Sequence, residues 1–147
     1  MKNLKCNLWD GIGHADAICI TTNGFVKNNG ECVMGRGCAL QAKKLYPGIA
    51  LRLGRIIKLN GNVPHKLLED KGTSIYSFPV KHNWWEKASL DLIKQSAYLM
   101  QQIADKHPEW KVVLIPRPGC GNGKLKYSDV EPILAEILDD RFFIVTW

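Results

Sequence analysis

Residues 111–131 read KVVLIPRPGCGNGKLKYSDVE. The opening five residues are almost wholly apolar and β-branched, so residues 111–115 are predicted to be a strand buried on both faces. Residues 116–123 follow with glycines at 119, 121 and 123, a loop free to curl around a ligand with its backbone amides. Ser128-x-x-Glu131 then has the spacing of a capping box, which predicts a helix to about residue 138 with Pro132 accommodated in its first turn. A buried strand, a glycine-rich loop and a helix form one unit of an α/β fold.

The same alternation extends in both directions. Residues 16–22 (DAICITT) form a short apolar run ending at Asn23-Gly24, a second buried strand, with residues 4–9 a further strand before it. Residues 38–45 and 49–59 read as helices, stopped at Tyr46-Pro47-Gly48 and Asn60-Gly61. Residues 73–80 read as a strand, Ser89 caps a helix to about residue 106, and residues 142–146 close the chain as a last strand. There is no repeat, low-complexity segment or long linker. The expectation is one α/β domain over residues 1–147 with helices covering a mostly buried sheet.

Composition narrows the function. The chain has 147 residues, 46% hydrophobic and 23% charged, with 13 aromatics to anchor a core. No apolar run reaches the length of a membrane span. Five cysteines at 6, 19, 32, 38 and 120 include no C-x-x-C, and the four histidines are scattered. Neither a disulfide framework nor a metal site follows, and a reducing, cytoplasmic setting, a monomer and no cofactor are expected. The net charge is +6, and it is uneven: residues 32–68 hold seven cations (Arg36, Lys43, Lys44, Arg52, Arg55, Lys58, Lys66) and no acid. Such a segment is either a solvated helix surface or a face for an anionic ligand such as nucleic acid.

In α/β sheets the ligand crevice lies beyond the carboxyl ends of the strands, which selects three loops. In the first, Met34-Gly35-Arg36-Gly37 precedes a helix and is either a plain glycine turn or a phosphate site; the dinucleotide and Lys-Ser/Thr phosphate fingerprints are absent. The second is the glycine loop 116–123, either a long flexible connection or a nest of backbone amides suited to a diphosphate. In the third, Phe78-Pro79-Val80-Lys81-His82-Asn83-Trp84-Trp85, Lys81 leaves a strand stiffened by proline. An amine there is either a solvated charge or, near apolar surface and other cations, a nucleophile. One tryptophan is expected to pack inward and one to stand at the rim. No G-x-S-x-G is present, and Cys120 has no histidine tied to it.

Taken in order, these segments resemble a macrodomain, the α/β module that binds ADP-ribose. Asn7-Leu8 stand where macrodomains carry a Gly-Asp-Ile-like turn that holds adenine. AICITTN, ending at Asn23, resembles the strand whose asparagine contacts the distal ribose. MGRGCAL, with Met34, Gly35, Arg36 and Gly37, resembles the diphosphate loop. IPRPGCGNGKL, with Pro116, Gly119, Cys120, Gly121, Asn122 and Gly123, resembles the second phosphate loop. FPVKHNWW, with Ser89 and Leu90 following, resembles the lysine-bearing strand end of the branch that holds the DNA ADP-ribosyl hydrolase antitoxins and the human terminal ADP-ribose protein glycohydrolase. Compact phage-encoded macrodomains look similar.

The resemblance implies a three-layer α-β-α sandwich around a mixed, mostly parallel sheet. It also implies an ADP-ribose cleft and hydrolysis of the bond at the distal ribose, with Lys81 as the nucleophile. A non-catalytic ADP-ribose reader and an ADP-ribose 1″-phosphate phosphatase fit the same pocket. The partner it implies is ADP-ribose or an ADP-ribosylated macromolecule, nucleic acid included. Three features depart from the branch. Gly123 stands where the human member has a catalytic aspartate, although antitoxin-like members share the glycine. Asn7 replaces an acid. Residues 24–33 (GFVKNNGECV) form an insertion longer than in the antitoxins.

Overall fold

The computed structural model describes all 147 residues, Met1–Trp147. Six strands form one sheet: β1 (Lys2–Lys5), β2 (Ala17–Thr22), β3 (Lys66–Asp70), β4 (Thr73–Pro79), β5 (Val113–Pro116) and β6 (Phe142–Thr146). Their order is β1-β6-β5-β2-β4-β3, parallel throughout except that β3 runs antiparallel to β4. Four helices cover it: α1 (Gly37–Leu45), α2 (Ile49–Asn60), α3 (Leu90–Asp105) and α4 (Tyr127–Ile137). None is long and apolar enough to cross a membrane.

Strand periodicity divides the buried residues into two cores. Along β2, Ala17 and Cys19 face one way and Ile18 and Ile20 the other, and all four are fully buried. Val113 and Ile115 join Phe78, Ile93 and Leu134 under α3 and α4, while Leu114 joins Leu53 and Ile75 under α1 and α2. Two-sided burial explains why these strands read as continuous apolar runs. The result is the mixed, mostly parallel α-β-α sandwich that the sequence implies.

Several local expectations need correction. The first strand lies at residues 2–5, not 4–9: Asn7 caps a 3-10 turn at Leu8–Gly11 by accepting from the Trp9 amide at 3.1 Å, which ends the extended run. β3 has no counterpart in the sequence reading. It is an edge strand with one fully buried residue, Leu67, and no β-branched residue to announce it. Ser128 caps nothing: α4 begins at Tyr127, Lys126 occupies the cap position without a side-chain hydrogen bond, and Pro132 falls in the second turn. Ser89 does cap α3, accepting from the Leu92 amide at 3.2 Å.

The insertion is anchored rather than loose. Asn23 closes it from inside, its Nδ2 donating to the Val33 carbonyl (2.9 Å) and its Oδ1 accepting from the Phe25 amide (3.0 Å). The Cys32 amide donates to the Ala50 carbonyl of α2 at 2.9 Å. A Cβ on Gly54 of α2 would fall on the Gly30 carbonyl oxygen, so only glycine permits this approach.

Candidate functional site

The carboxyl ends of β2 and β4 and the start of α1 border a cleft of about 980 Å³, within the range of small-molecule sites. It gathers residues from all three glycine or lysine loops: Asn23; Met34, Gly35, Arg36 and Gly37; Lys81; and Gly119, Gly121, Asn122 and Gly123. Asn7, Leu8, Pro116 and Cys120 lie outside its walls. Asn7 is engaged as the cap described above, Leu8 is buried, and the Cys120 thiol donates to the Pro118 carbonyl at 3.4 Å. His82 also lies outside, its carbonyl accepting from the Gly24 amide at 3.1 Å.

The cleft walls carry five cations (Lys27, Arg36, Lys81, Lys87, Lys124) and a single carboxylate, Glu86. Lys27 pairs with Glu31 at 3.7 Å, whereas the other four cations make no ion pair. Uncompensated positive charge at the start of α1, where the first-turn amides have no intrahelical acceptor, suits a diphosphate. Gly37 opens that helix with φ +57°, a conformation glycine adopts without strain. Thr22 contributes to the wall, its own hydroxyl shielded behind it and without a hydrogen-bond partner.

Lys81 is held from both ends. Its carbonyl accepts from Asn62 Nδ2 at 3.0 Å, and its Nζ donates to the carbonyls of Trp84 and Asn122, each at 3.3 Å. Partial burial, reinforced by the charges of Lys124 and Arg36, holds its pKa below the ordinary lysine value. The thiols nearby move the opposite way. Burial raises the pKa of Cys38 in the cleft wall and of Cys120 in the loop after β5, which disfavours the thiolate of each.

The glycine loop after β5 has room for a side chain at position 121. A Cβ on Gly121 would meet nothing within 4 Å and would project into the open cleft. Gly121→Val is therefore expected to leave the melting temperature unchanged, measured by thermal unfolding, while narrowing the cleft.

The sequence reading missed Thr22, Phe25, Lys27, Glu86, Lys87 and Lys124 as wall residues. Phe25 carried a signal, being the one aromatic in a polar insertion. Lys124 carried none, since its placement depends on a positive φ of 63° that sequence does not announce. The tryptophan expectation needs correction too: neither packs inward. Trp84 and Trp85 are 52% and 59% exposed and both stand at the rim.

No family model matches the sequence, and no curated protein does. Solved structures do. The macrodomain of Mycobacterium tuberculosis DarG superposes with a TM-score of 0.76 at 25% identity, covering 98% of this chain and 95% of that one. The macrodomain of Thermus aquaticus DarG gives 0.77 at 20% identity, covering 99% and 97%. Thermosipho africanus DarTG in complex with ADP-ribose gives 0.73 at 21% identity over 89% of this chain; the present chain spans only 38% of that chain's length. The sheet order, the two helical layers and these superpositions agree that the chain has the macrodomain fold, in a form that resembles the macrodomains of DarG.

Proposed function

We propose that the protein binds ADP-ribose in this cleft and hydrolyses the bond between the distal ribose and an attached group, with Lys81 as the nucleophile. The observation that carries the reading is the amine of Lys81, lowered in pKa by burial and neighbouring cations and held at the wall of a cation-rich cleft. A relative of the same fold, Thermosipho africanus DarTG, is in complex with ADP-ribose, which supports the choice of ligand.

The chemistry follows from the amine. As the distal ribose ring opens, the ring oxygen takes a proton from solvent and the anomeric carbon becomes electrophilic; the neutral Lys81 nitrogen adds to it and returns one proton to solvent. The bond from that carbon to the acceptor breaks, the acceptor leaves with a proton from the amine, and an imine joins Lys81 to the sugar. Water adds across the imine, releasing ADP-ribose and restoring the amine. One water is consumed per bond cleaved. The cations of both phosphate loops hold the diphosphate while this occurs.

The test is incubation with ADP-ribosylated DNA, RNA and protein and with ADP-ribose 1″-phosphate, following release of free ADP-ribose. Release from a macromolecule supports the reading. Release from the 1″-phosphate alone makes the protein a phosphatase, and tight ADP-ribose binding without any release makes it a reader.

The pH profile gives a sharper check. Turnover needs neutral Lys81, so kcat rises with pH through its pKa and levels above it. Because Lys124 helps hold that pKa down, Lys124→Asn raises it and moves the rising limb of kcat to higher pH, with the plateau unchanged. Asparagine is chosen because it tolerates the positive φ at this position.

A further inference from the structure

Asn62 lies in no helix or strand and in no wall of the cleft, yet it holds the residue on which the proposed reaction turns. Its Nδ2 donates to the Lys81 carbonyl at 3.0 Å. Its Oδ1, on the other side of the same amide, is shielded and has no hydrogen-bond partner. A shielded acceptor left unpaired costs free energy, so the amide is kept for what its nitrogen holds. Lys81 needs such a hold. The ladder between β4 and β2 ends where the Val80 amide donates to the Thr22 carbonyl at 2.9 Å, so Lys81 is the first residue beyond the sheet and other contacts must set its direction.

The hold is built from three segments. Gly61, at φ +88°, turns the chain out of α2 and into residue 62. The segment is then fixed to β4: the His65 amide donates to Ser77 Oγ at 3.0 Å, and the Ser77 amide donates to the His65 carbonyl at 2.9 Å, two residues before Pro79 ends the strand. From the insertion, Gly24 lies flat against Asn62, where a Cβ would fall 2.6 Å from Nδ2. The Gly24 amide donates to the His82 carbonyl at 3.1 Å. The consecutive carbonyls of Lys81 and His82 are thus pinned, one by the chain leaving α2 and one by the start of the insertion. The amine depends on that backbone. Lys81 Nζ meets the carbonyls of Trp84 and Asn122 at 3.3 Å each, the long limit of a hydrogen bond, so a small shift of the backbone loses both.

We propose that Asn62, seated against Gly24, is a positioning residue that fixes the backbone of Lys81 and so aims its amine into the cleft. The inference rests on the reading of Lys81 as the nucleophile. With the tie cut, the amine loses the geometry of attack, while Arg36, Lys124 and the glycine loops still border the cleft to hold the diphosphate. Turnover therefore falls without a change in ligand affinity. An amine free to swing toward solvent, away from Lys124 and Arg36, also titrates nearer an ordinary lysine.

The experiment uses two variants that reach the same contact from different segments. Asn62→Ala removes the donor and the unpaired acceptor together. Gly24→Ala keeps Asn62 in the chain but displaces its amide, the movable end of a side chain. On the substrate that the parent cleaves among ADP-ribosylated DNA, RNA and protein, each variant is expected to lower kcat about tenfold to a hundredfold. KM and the calorimetric affinity for ADP-ribose stay at the parental values, and the double variant is no worse than either single one. A second readout needs no substrate: labelling of Lys81 by acetic anhydride across pH, followed by mass spectrometry, has its midpoint at higher pH in both variants than in the parent. Parental kcat and a parental labelling midpoint in Asn62→Ala overturn the proposal. So does a lowered melting temperature with both readouts kept, which makes the amide a plain structural tie. Losses that add in the double variant overturn the shared route through Gly24. A parent that cleaves nothing, with the midpoint still moved in both variants, retires the hydrolase reading alone. A parent that cleaves, with variants that match it in rate and midpoint, retires the positioning role alone.

Discussion

Lys81→Ala is expected to lose turnover by on the order of a thousandfold or more, the scale of removing a covalent nucleophile, while its ADP-ribose affinity stays within a few fold of the parent. The two effects separate because the side chain contributes little to holding the ligand. Arg36, Lys124 and the glycine loops remain to bind the diphosphate, and Lys81 Nζ spends its hydrogen bonds on the Trp84 and Asn122 carbonyls. Those two contacts are long, at 3.3 Å each, and exposed, so their loss costs little stability. Borohydride added during turnover should reduce the imine and leave a covalent ADP-ribose adduct on the parent protein, visible by mass spectrometry, and none on the variant. Lys81→Arg is the companion: it keeps a cation at the wall but stays protonated, and it is expected to be as inactive as alanine. A variant that kept the parental rate would sink the mechanism and leave the cleft as a binding site.

The layers of the fold were legible because burial on two faces leaves a plain mark. Residues such as Val113, Leu114 and Ile115 admit no polar neighbour, and the helices between the strands carry capping or stop signals at Ser89, Tyr46-Pro47-Gly48 and Asn60-Gly61. β3 was invisible for the converse reason, since an edge strand with one buried residue carries almost no pattern. The capping box at Ser128 failed because spacing alone does not say whether a serine precedes a helix or lies in its first turn. At the site, residues whose type is itself unusual were found in the chain: Arg36 between glycines, Lys81 after proline, the glycines of 119–123. Residues that enter the cleft because the insertion is folded back on α2, Lys27 among them, were not. Their placement is set by long-range contacts such as Gly30 on Gly54, which no local spacing encodes.

The same long-range geometry decides what the loop after β5 accepts. The resemblance to the hydrolytic branch implies that Gly123 takes the place of an aspartate in its human member, and the natural experiment is to install it. Gly123→Asp is expected to fail as a gain of function and to destabilise the protein by about 1–3 kcal/mol, the usual cost of overpacking. A Cβ at position 123 would fall on the Gly119 carbonyl oxygen and 2.7 Å from the Ala88 Cβ. Neither neighbour yields easily. The Gly119 carbonyl accepts from the Leu125 amide at 2.9 Å, and Ala88 is buried and tied to position 123 by its own amide, which donates to the Gly123 carbonyl at 3.0 Å. Relief requires the loop to open, and the carbonyl of Asn122 that holds Lys81 Nζ moves with it. The expected readings are a melting temperature lower by about 2–12 °C for a domain of this size and weaker ADP-ribose binding. Gly121→Asp, two residues earlier with open space around its Cβ, is the control, and it should keep the parental melting temperature while opposing the diphosphate by like charge. If Gly123→Asp instead melts with the parent and hydrolyses faster, the loop is more yielding than its packing indicates and the glycine is a catalytic choice rather than a steric one.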